Sequence, residues 1–441
     1  MRLPVSIAAP FAALLALAAP AFAEVEIQEV TSPGGIEAWL VEEPSIPFTA
    51  LEIRFRGGSA LDAPGKRGAT ALMTYTLEEG TGDMDARAFA AAREALAASY
   101  DFDLSPDTIS ISARFLTENR DEAVALLRGA IVEPSFTEEA TERVKAQMIS
   151  SIRSDATDPS DIAREAFAAA AYGEDHPYGS SQDGTVESVS ALAPEDLHAA
   201  HDAALARDRV YVGAVGDISA EELGLLLDEL LGDLPATGAP YPEMADISLD
   251  GGVTVIPFDT PQSVVVFGHE GIARDDPDYV AAYVLNEVLG GSGRQSRLME
   301  EVREKRGLTY GVYSYLAPRD LGNLYLGSLN SANDTVAEAI EVIEAEWARI
   351  AEEGLSEEEL EGISTYLTGA YPLRFDGNAT IAGTLVGMQM VGLPTSYVTD
   401  RNALVEALTV EEIDRVAKRL FDPDGLSFVV VGRPEGLEAD G

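Results

Sequence analysis

"ALAPEDLHAAHDAALARDRVYVGAVGD" spans residues 191–217, and "ALTVEEIDRVAKRLFDPDGLSFVVVGRP" spans 407–434. Each begins at a helix start, continues as an amphipathic helix, crosses a polar turn and ends in an apolar strand that finishes in Val-Gly. In the second string Thr409 and Glu412 form a capping box. The two endings lie about 200 residues apart, a period too long for a solenoid. They read as two copies of one domain.

The segments upstream of each ending repeat in the same order. "FTALEIRFR" (48–56) alternates Leu51, Ile53 and Phe55 against Glu52, Arg54 and Arg56, the pattern of a half-buried strand. "TISISARF" (108–115) repeats it with Ile109, Ile111, Ala113 and Phe115. Between them "ATALMTYTLEEG" and "ARAFAAAREALAASY" have helical composition. Residues 120–134 predict an amphipathic helix stopped by Pro134, a long helix follows, and 209–217 close the first copy with a strand. The second copy starts on the strand "QSVVVFGHEG", then has the helices "PDYVAAYVLNEVLGG" and "SRLMEEVREKRG". The strands "LTYGVYSYL" and "NLYLGSLNS" come next. Two helices follow, the later one capped by Ser356 and Glu359. Strands and helices in this mixed order predict an α+β fold: two tandem homologous two-layer α/β sandwich domains that enclose a cleft. The Pro- and Gly-rich stretch "LPATGAPYPEMADISLDGG" (234–252) marks the joint. The expected layout is a signal peptide at 1–23, a first domain at 24–236, a linker at 237–252 and a second domain at 253–441.

Composition limits the function. With 76 acidic and 30 basic residues the chain carries a formal charge of −46, spread along its length. Such a surface repels nucleic acid and anionic lipid. The N-terminal "MRLPVSIAAPFAALLALAAPAFA" has a positive start at Arg2, a short apolar stretch and the small-x-small site Ala21-Phe22-Ala23. It reads as an export signal cleaved after Ala23, which places the mature chain in a bacterial periplasm with no membrane span. No cysteine is present, which excludes disulfides, thiol catalysis and thiolate metal sites.

The four histidines are His176, His198, His201 and His269. His198 and His201 lack a third ligand and read as part of a solvated helix face. His176 precedes Pro177 and reads as a turn residue. His269, beside Glu270 at a strand end, is open between roles. There is no G-x-S-x-G and no triad setting, which argues against hydrolysis by an unrelated site.

Four strings, "FRGGSALDAPGKRGATALMTYTLEEGT" (55–81), "HPYGSSQDGTVESVSAL" (176–192), "GIARDDPDY" (271–279) and "SRLMEEVREKRGLTYGVYSY" (296–315), carry a resemblance to the insulinase/pitrilysin family of zinc peptidases. The chain looks most like its short bacterial members and the mitochondrial processing peptidase subunits. The family's zinc site is an inverted H-x-x-E-H on a helix, completed by a glutamate from a later helix. The resemblance places the motif positions at Ala71, Thr74 and Tyr75 and the distal ligand at Ser151. None is a histidine or carboxylate, and the nearby Glu78 and Glu79 lack histidine partners. No metal or other cofactor is therefore expected in this chain.

The second copy keeps what the first lacks. The resemblance matches Arg303 and Tyr310 to an arginine and a tyrosine, seven residues apart, that assist the family's chemistry from the opposite half of the cleft. A phenol can donate to an oxyanion, and a guanidinium can grip a carbonyl. Arg303 is also open to an ordinary salt bridge with Glu300 or Glu304, and Tyr310 to ordinary strand packing. Strand alternation places Tyr310 on a face with Val312 and Ser314, and Tyr313 and Tyr315 on the other. The helix through Met299–Arg306 is expected to stop at Gly307 in a left-handed cap, with Lys305 and Arg306 complementing its dipole. The loop "GGSGRQSRL" (290–298), with Gly290, Gly291 and Gly293, fits either a plain turn or a backbone approach to a peptide.

The resemblance implies a zinc-less subunit of an exported heterodimeric metallopeptidase. Its partner would be a homologous zinc-motif subunit holding the zinc, and its substrate a peptide. The alternative is a non-enzymatic peptide-binding or complex-assembly protein of the same fold.

Overall fold

The computed structural model describes residues 26–291 and 295–437. The expected signal segment and Gly293 lie outside the described residues. The first half runs β1 (Gln28–Thr31), β2 (Glu37–Glu42), β3 (Phe48–Arg56), α1 (Ala69–Thr76), the short strands β4 (Gly80–Thr81) and β5 (Met84–Asp85), α2 (Ala86–Ala95), β6 (Ser99–Leu104), β7 (Thr108–Leu116), α3 (Arg120–Val132), α4 (Glu138–Asp155), α5 (Pro159–Tyr172), α6 (Val186–Ser190), α7 (Pro194–Ala204), β8 (Val210–Gly216) and α8 (Ala220–Leu231). The second half runs β9 (Gly252–Pro257), β10 (Gln262–Glu270), α9 (Tyr279–Leu289), β11 (Thr309–Ala317), β12 (Leu324–Ala332), α10 (Val336–Glu353), α11 (Glu357–Ala370), α12 (Asn378–Met390), α13 (Tyr397–Glu406), α14 (Val410–Leu420) and β13 (Ser427–Gly432).

The sheets repeat each other. The first has the order β1-β2-β8-β3-β7-β6 and the second β11-β12-β10-β13-β9. Read from the opposite end, β9-β13-β10-β12-β11 matches β2-β8-β3-β7-β6 strand for strand. In both, one pair is parallel (β2 with β8, β9 with β13) and the remaining pairs are antiparallel. The duplication seen in the two Val-Gly endings thus extends to the topology. The reciprocal caps form as expected. Glu359 Oε2 accepts from the Ser356 amide at 2.9 Å and Glu412 Oε2 from the Thr409 amide at 3.1 Å.

One face of each sheet packs on helices of its own half. Ile53, Phe55, Ile111 and Phe115 meet Leu72, Leu127 and Leu227 in the first core. Phe267, Tyr325 and Phe428 meet Trp347 and Leu285 in the second. Large side chains buried this fully contribute on the order of 2 kcal/mol each. The other face takes a helix from the opposite half. α5 lies on β10 and β13, where Phe167 and Tyr172 pack with Val264, Val266 and Val429. α12 lies on β3 and β8, where Ile381, Ala382 and Leu385 pack on Val215. Gly213 of β8 permits that approach, since a Cβ there would lie 2.7 Å from the Ala382 carbonyl oxygen. Arg56 pairs with Asp320 at 3.3 Å, and Gln389 donates to the Val212 carbonyl at 2.8 Å, adding polar ties between the halves.

Residues 232–251 hold no helix or strand. They cross between the halves, held where the Ala245 amide donates to Leu321 O and the Ser248 amide to Ala171 O. Among the described residues no helix is long and apolar enough to cross a membrane.

Candidate functional site

The four positions matched to metal ligands lie on α1 and α4, which pack together. Ala71 is fully buried and offers no donor atom. Thr74 is also buried, and its hydroxyl donates to the Thr70 carbonyl at 2.8 Å. The Tyr75 hydroxyl donates to Asp183 Oδ1 at 3.1 Å, and Ser151 bonds weakly to Asp155 at 3.4 Å. Burial raises the Asp183 carboxyl above its ordinary range. Glu78 is taken by Arg93 and Glu79 by Arg143. Among the described residues no group of three or more His, Cys, Asp or Glu side chains converges as a metal site. The residues at these positions do not fit a zinc ion: one has no ligating atom, and the others spend theirs on neighbours.

The histidines have structural surroundings. His176 caps the turn at Pro177, where its Nδ1 accepts from the Tyr178 amide at 3.1 Å. His269 is buried. Its Nε2 accepts from Trp347 Nε1 at 3.0 Å, so its Nδ1 donates to the Glu270 carbonyl at 2.6 Å. Burial lowers its pKa, and the ring is neutral. His198 is exposed, but His201 is not on a solvated face as the sequence suggested. It is buried with Nε2 at 2.7 Å from Ile131 O, because Phe136 packs edge-on against both rings.

The second half departs from expectation in two places. The segment Met299–Glu304 is a π-helical turn, with the Lys305 amide bonded to Glu300 O at 2.9 Å, five residues back. Such wide turns are rare and often stand at functional sites. It still ends at Gly307, whose φ of +68° is left-handed. Lys305 and Arg306 both reach Glu301 at 2.7 Å and hold its carboxyl below the usual range. Among the described residues Arg303 has only a loose ion contact, with Glu304 at 3.6 Å.

The strand after it carries the second departure. Register shifts between Thr309, opposite Ser331, and Val312, opposite Leu329, so Tyr310 and Gly311 together oppose Asn330. This bulge turns Tyr310 away from the face of Val312 and Ser314, correcting the alternation read from the sequence. Tyr310 is 86% exposed, on the same side as Tyr313 and Tyr315. The Thr309 hydroxyl holds the bulge, accepting from the Gly311 amide at 3.1 Å and donating to Asn330 O at 2.7 Å.

These tyrosines line a groove of about 540 Å³ between α5 and the uncovered face of β12 and β11. Arg164, Phe167 and Tyr172 of α5 form its other wall, and Arg319 also lines it. Tyr313 and Tyr315 stack with centroids 6.2 Å apart. Tyr310 lines the groove, whereas Arg303 stands outside its lining, on the π-helical turn packed against β11. Sequence reading missed Tyr313, Tyr315, Arg164 and Arg319 as lining residues. The alternating tyrosines were a signal, but without the bulge they fell on the face opposite Tyr310.

Gly290 and Gly291 are buried, and both amides donate to Asn286 O, at 2.8 and 2.9 Å. The Gly290 carbonyl accepts from the Ser314 amide at 2.7 Å, and a Cβ on Gly290 would lie 2.2 Å from Ser314 Oγ. The turn therefore seats the end of α9 directly on β11.

Residues 38–182 match the family model described as Insulinase (Peptidase family M16), and residues 191–367 match one described as Peptidase M16 inactive domain. The chain belongs to the M16, or insulinase, family. It is 28% identical to a protein of Helicobacter pylori named non-peptidase homolog YmxG, over 95% of each chain. An uncharacterized zinc protease of Streptomyces coelicolor is 26% identical, over 89% of this chain and 86% of its own. A crystal structure titled peptidase M16 inactive domain, from Pseudomonas fluorescens, superposes with a TM-score of 0.87. It is 29% identical and covers 94% of this chain and 99% of its own. A chain of Complex III2 from Candida albicans shares the fold, with a TM-score of 0.75 at 16% identity. This chain is thus an M16 protein of two M16-type domains, and among the described residues no group of three or more His, Cys, Asp or Glu side chains could hold a metal.

Proposed function

We propose that this chain is the zinc-less subunit of an exported heterodimeric M16 metallopeptidase, presenting Arg303 and Tyr310 to a substrate peptide held by a homologous zinc-motif chain. The observation that carries the reading is the exposure of Tyr310 on a hydroxyl-braced bulge, in a protein whose motif positions are Ala71, Thr74, Tyr75 and Ser151. A phenol that served packing alone would not stand 86% exposed at the end of an aromatic groove. Tyr310 donates a hydrogen bond to a carbonyl oxygen as it gains charge. Arg303, whose one carboxylate contact among the described residues is loose, can clamp a neighbouring carbonyl. Gly290 and Gly291 serve substrate binding by seating β11 beside the groove, since their own amides are already bonded. The partner contributes the metal. The export signal read at 1–23 accounts for delivery of this chain to the periplasm, where the partner would meet it.

The stacked tyrosines of the groove also suit peptide side chains without any hydrolysis. That favours, as the second reading, a peptide-binding or assembly protein of the same fold. One experiment separates the two. The purified chain is mixed with a zinc-motif M16 homologue, and cleavage of a peptide library is followed. Activity found only in the mixture supports the first reading. Turnover by this chain alone with stoichiometric zinc would overturn both.

A further inference from the structure

A second cavity, of about 360 Å³, opens among α9, α12, α13 and the turn Tyr371–Phe375. None of its lining residues lines the tyrosine groove. Three guanidinium groups face it, from Arg274, Arg374 and Arg401, between the rings of Tyr279, Tyr283, Tyr371 and Tyr397. Val280, Met388, Val391 and Leu393 supply an apolar wall.

The cations are held in place without being neutralised. Arg274 lies 4.3 Å from the Tyr279 ring centroid and 5.7 Å from that of Tyr397. Arg401 lies 4.8 Å from Tyr371 and 5.8 Å from Tyr283. Arg401 is 8% exposed, and Nη1 donates to Leu367 O at 2.9 Å and to Asn402 Oδ1 at 3.2 Å. Its other nitrogens have no partner among the described residues. Arg374 makes neither a hydrogen bond nor an ion pair there. Acidic residues outnumber basic ones 76 to 30, yet among the described residues no carboxylate comes within ion-pair distance of any of the three. Glu287, one turn beyond Tyr283 on α9, carries a carboxyl that burial raises above its ordinary range, with Arg374 and Arg401 acting on it in the opposite direction from beyond ion-pair distance. Burying a guanidinium against rings without a carboxylate is costly unless an anion completes the site.

We propose that this cavity binds a carboxylate of a peptide chain, with the guanidinium groups taking the anion and the apolar wall and rings taking the adjoining side chain. Planar guanidinium forks match a carboxylate in two-point fashion, and tyrosine rings accept an aliphatic or aromatic neighbour. The carboxylate comes from an acidic side chain or from a free C-terminus, and both present the same group.

The test uses the full chain and fluorescence anisotropy with a labelled decapeptide ending in glutamate, leucine and phenylalanine. Its C-terminal amide, its glutamine analogue and the doubly neutral form are compared. Loss of affinity on amidation assigns the terminus, and loss with glutamine assigns the side chain. In either case Arg374→Gln, an exposed position whose change leaves the fold intact, is expected to weaken binding about tenfold, the scale of one charge-assisted hydrogen bond. Arg401→Gln is expected to weaken it further. Equal binding of the charged and doubly neutral peptides, or wild-type affinity in Arg374→Gln, overturns the proposal.

Discussion

Tyr310 and Val312 lie two residues apart on β11 and point to opposite sides of the sheet, Tyr310 86% and Val312 2% exposed. In a regular strand they would share a face. One extra residue, accommodated opposite Asn330, separates them. The Thr309 hydroxyl bridges the irregularity to Gly311 and Asn330. Thr309→Val keeps the shape and removes those bonds, leaving the Asn330 carbonyl without that donor. It is expected to cost about 1–2 kcal/mol, read as a lower urea midpoint, and to speed hydrogen exchange at the Gly311 amide. Thr309→Ser is expected to restore both.

With a zinc-motif homologue present, Tyr310→Phe is expected to lower kcat by about 100-fold, the effect of losing one oxyanion donor. Arg303→Ala is expected to raise KM as well, because the guanidinium binds the ground state too. Tyr310 is solvent-facing and Arg303, though partly buried, has only a loose ion contact among the described residues, so unfolding free energy should change by less than about 0.5 kcal/mol. Wild-type rates in both variants would sink the proposed role.

Restoring a histidine at the first motif position should harm this chain. Ala71 is fully buried on α1. The larger imidazole of Ala71→His overpacks that contact and is expected to cost about 1–3 kcal/mol, measured by urea unfolding. Zinc should not protect the variant, because Thr74, Tyr75 and Ser151 still offer no ligand set.

The sequence revealed the duplication because caps and apolar endings are local. Ser356–Glu359, Thr409–Glu412 and the Val-Gly strands each carry their own signal. β6 was harder to see: Ser99–Leu104 follows an alanine-rich run and begins inside a stretch of helical composition that reaches Tyr100. The exchange of α5 and α12 was not visible, since Phe167 or Leu385 announces an apolar face but not whose sheet it covers. His201 shows the same limit. Only the distant Phe136 and the Ile131 carbonyl make that position an interior one. At the site, residue types were legible and direction was not, because a bulge depends on pairing with Asn330 rather than on the local pattern.

Asp278 gives the fold a predictable acid sensitivity. Arg415 grips it through both nitrogens, at 2.6 and 2.9 Å, and Arg419 adds a further bond, tying the start of α9 to α14. The hydrogen bonds from Arg415 and Arg419 draw its pKa from 3.8 down to about 2. A depressed folded-state value means the carboxylate stabilises the fold above 3.8 and ceases to do so as pH falls through about 2. Asp278→Asn should therefore be less stable than wild type at neutral pH, and the gap should close across that window. A gap independent of pH would show that the link acts through shape and not through charge.

The contact between the halves has its own weak point. α12 lies on β8 because Gly213 has no side chain. Its Cβ would sit 2.7 Å from the Ala382 carbonyl oxygen and 3.0 Å from a Val386 methyl. Backbone on the far side cannot move without lifting the helix. Gly213→Ala is expected to cost about 1–3 kcal/mol and Gly213→Val more. The loss should appear first as protease cleavage within 371–393, because Gln389 loses its bond to Val212 O when α12 lifts. The first core, on the opposite face of the same sheet, should hold. Uniform destabilisation without preferential cleavage of that segment would mean that α12 is not a separable tie and that the two halves unfold as one unit.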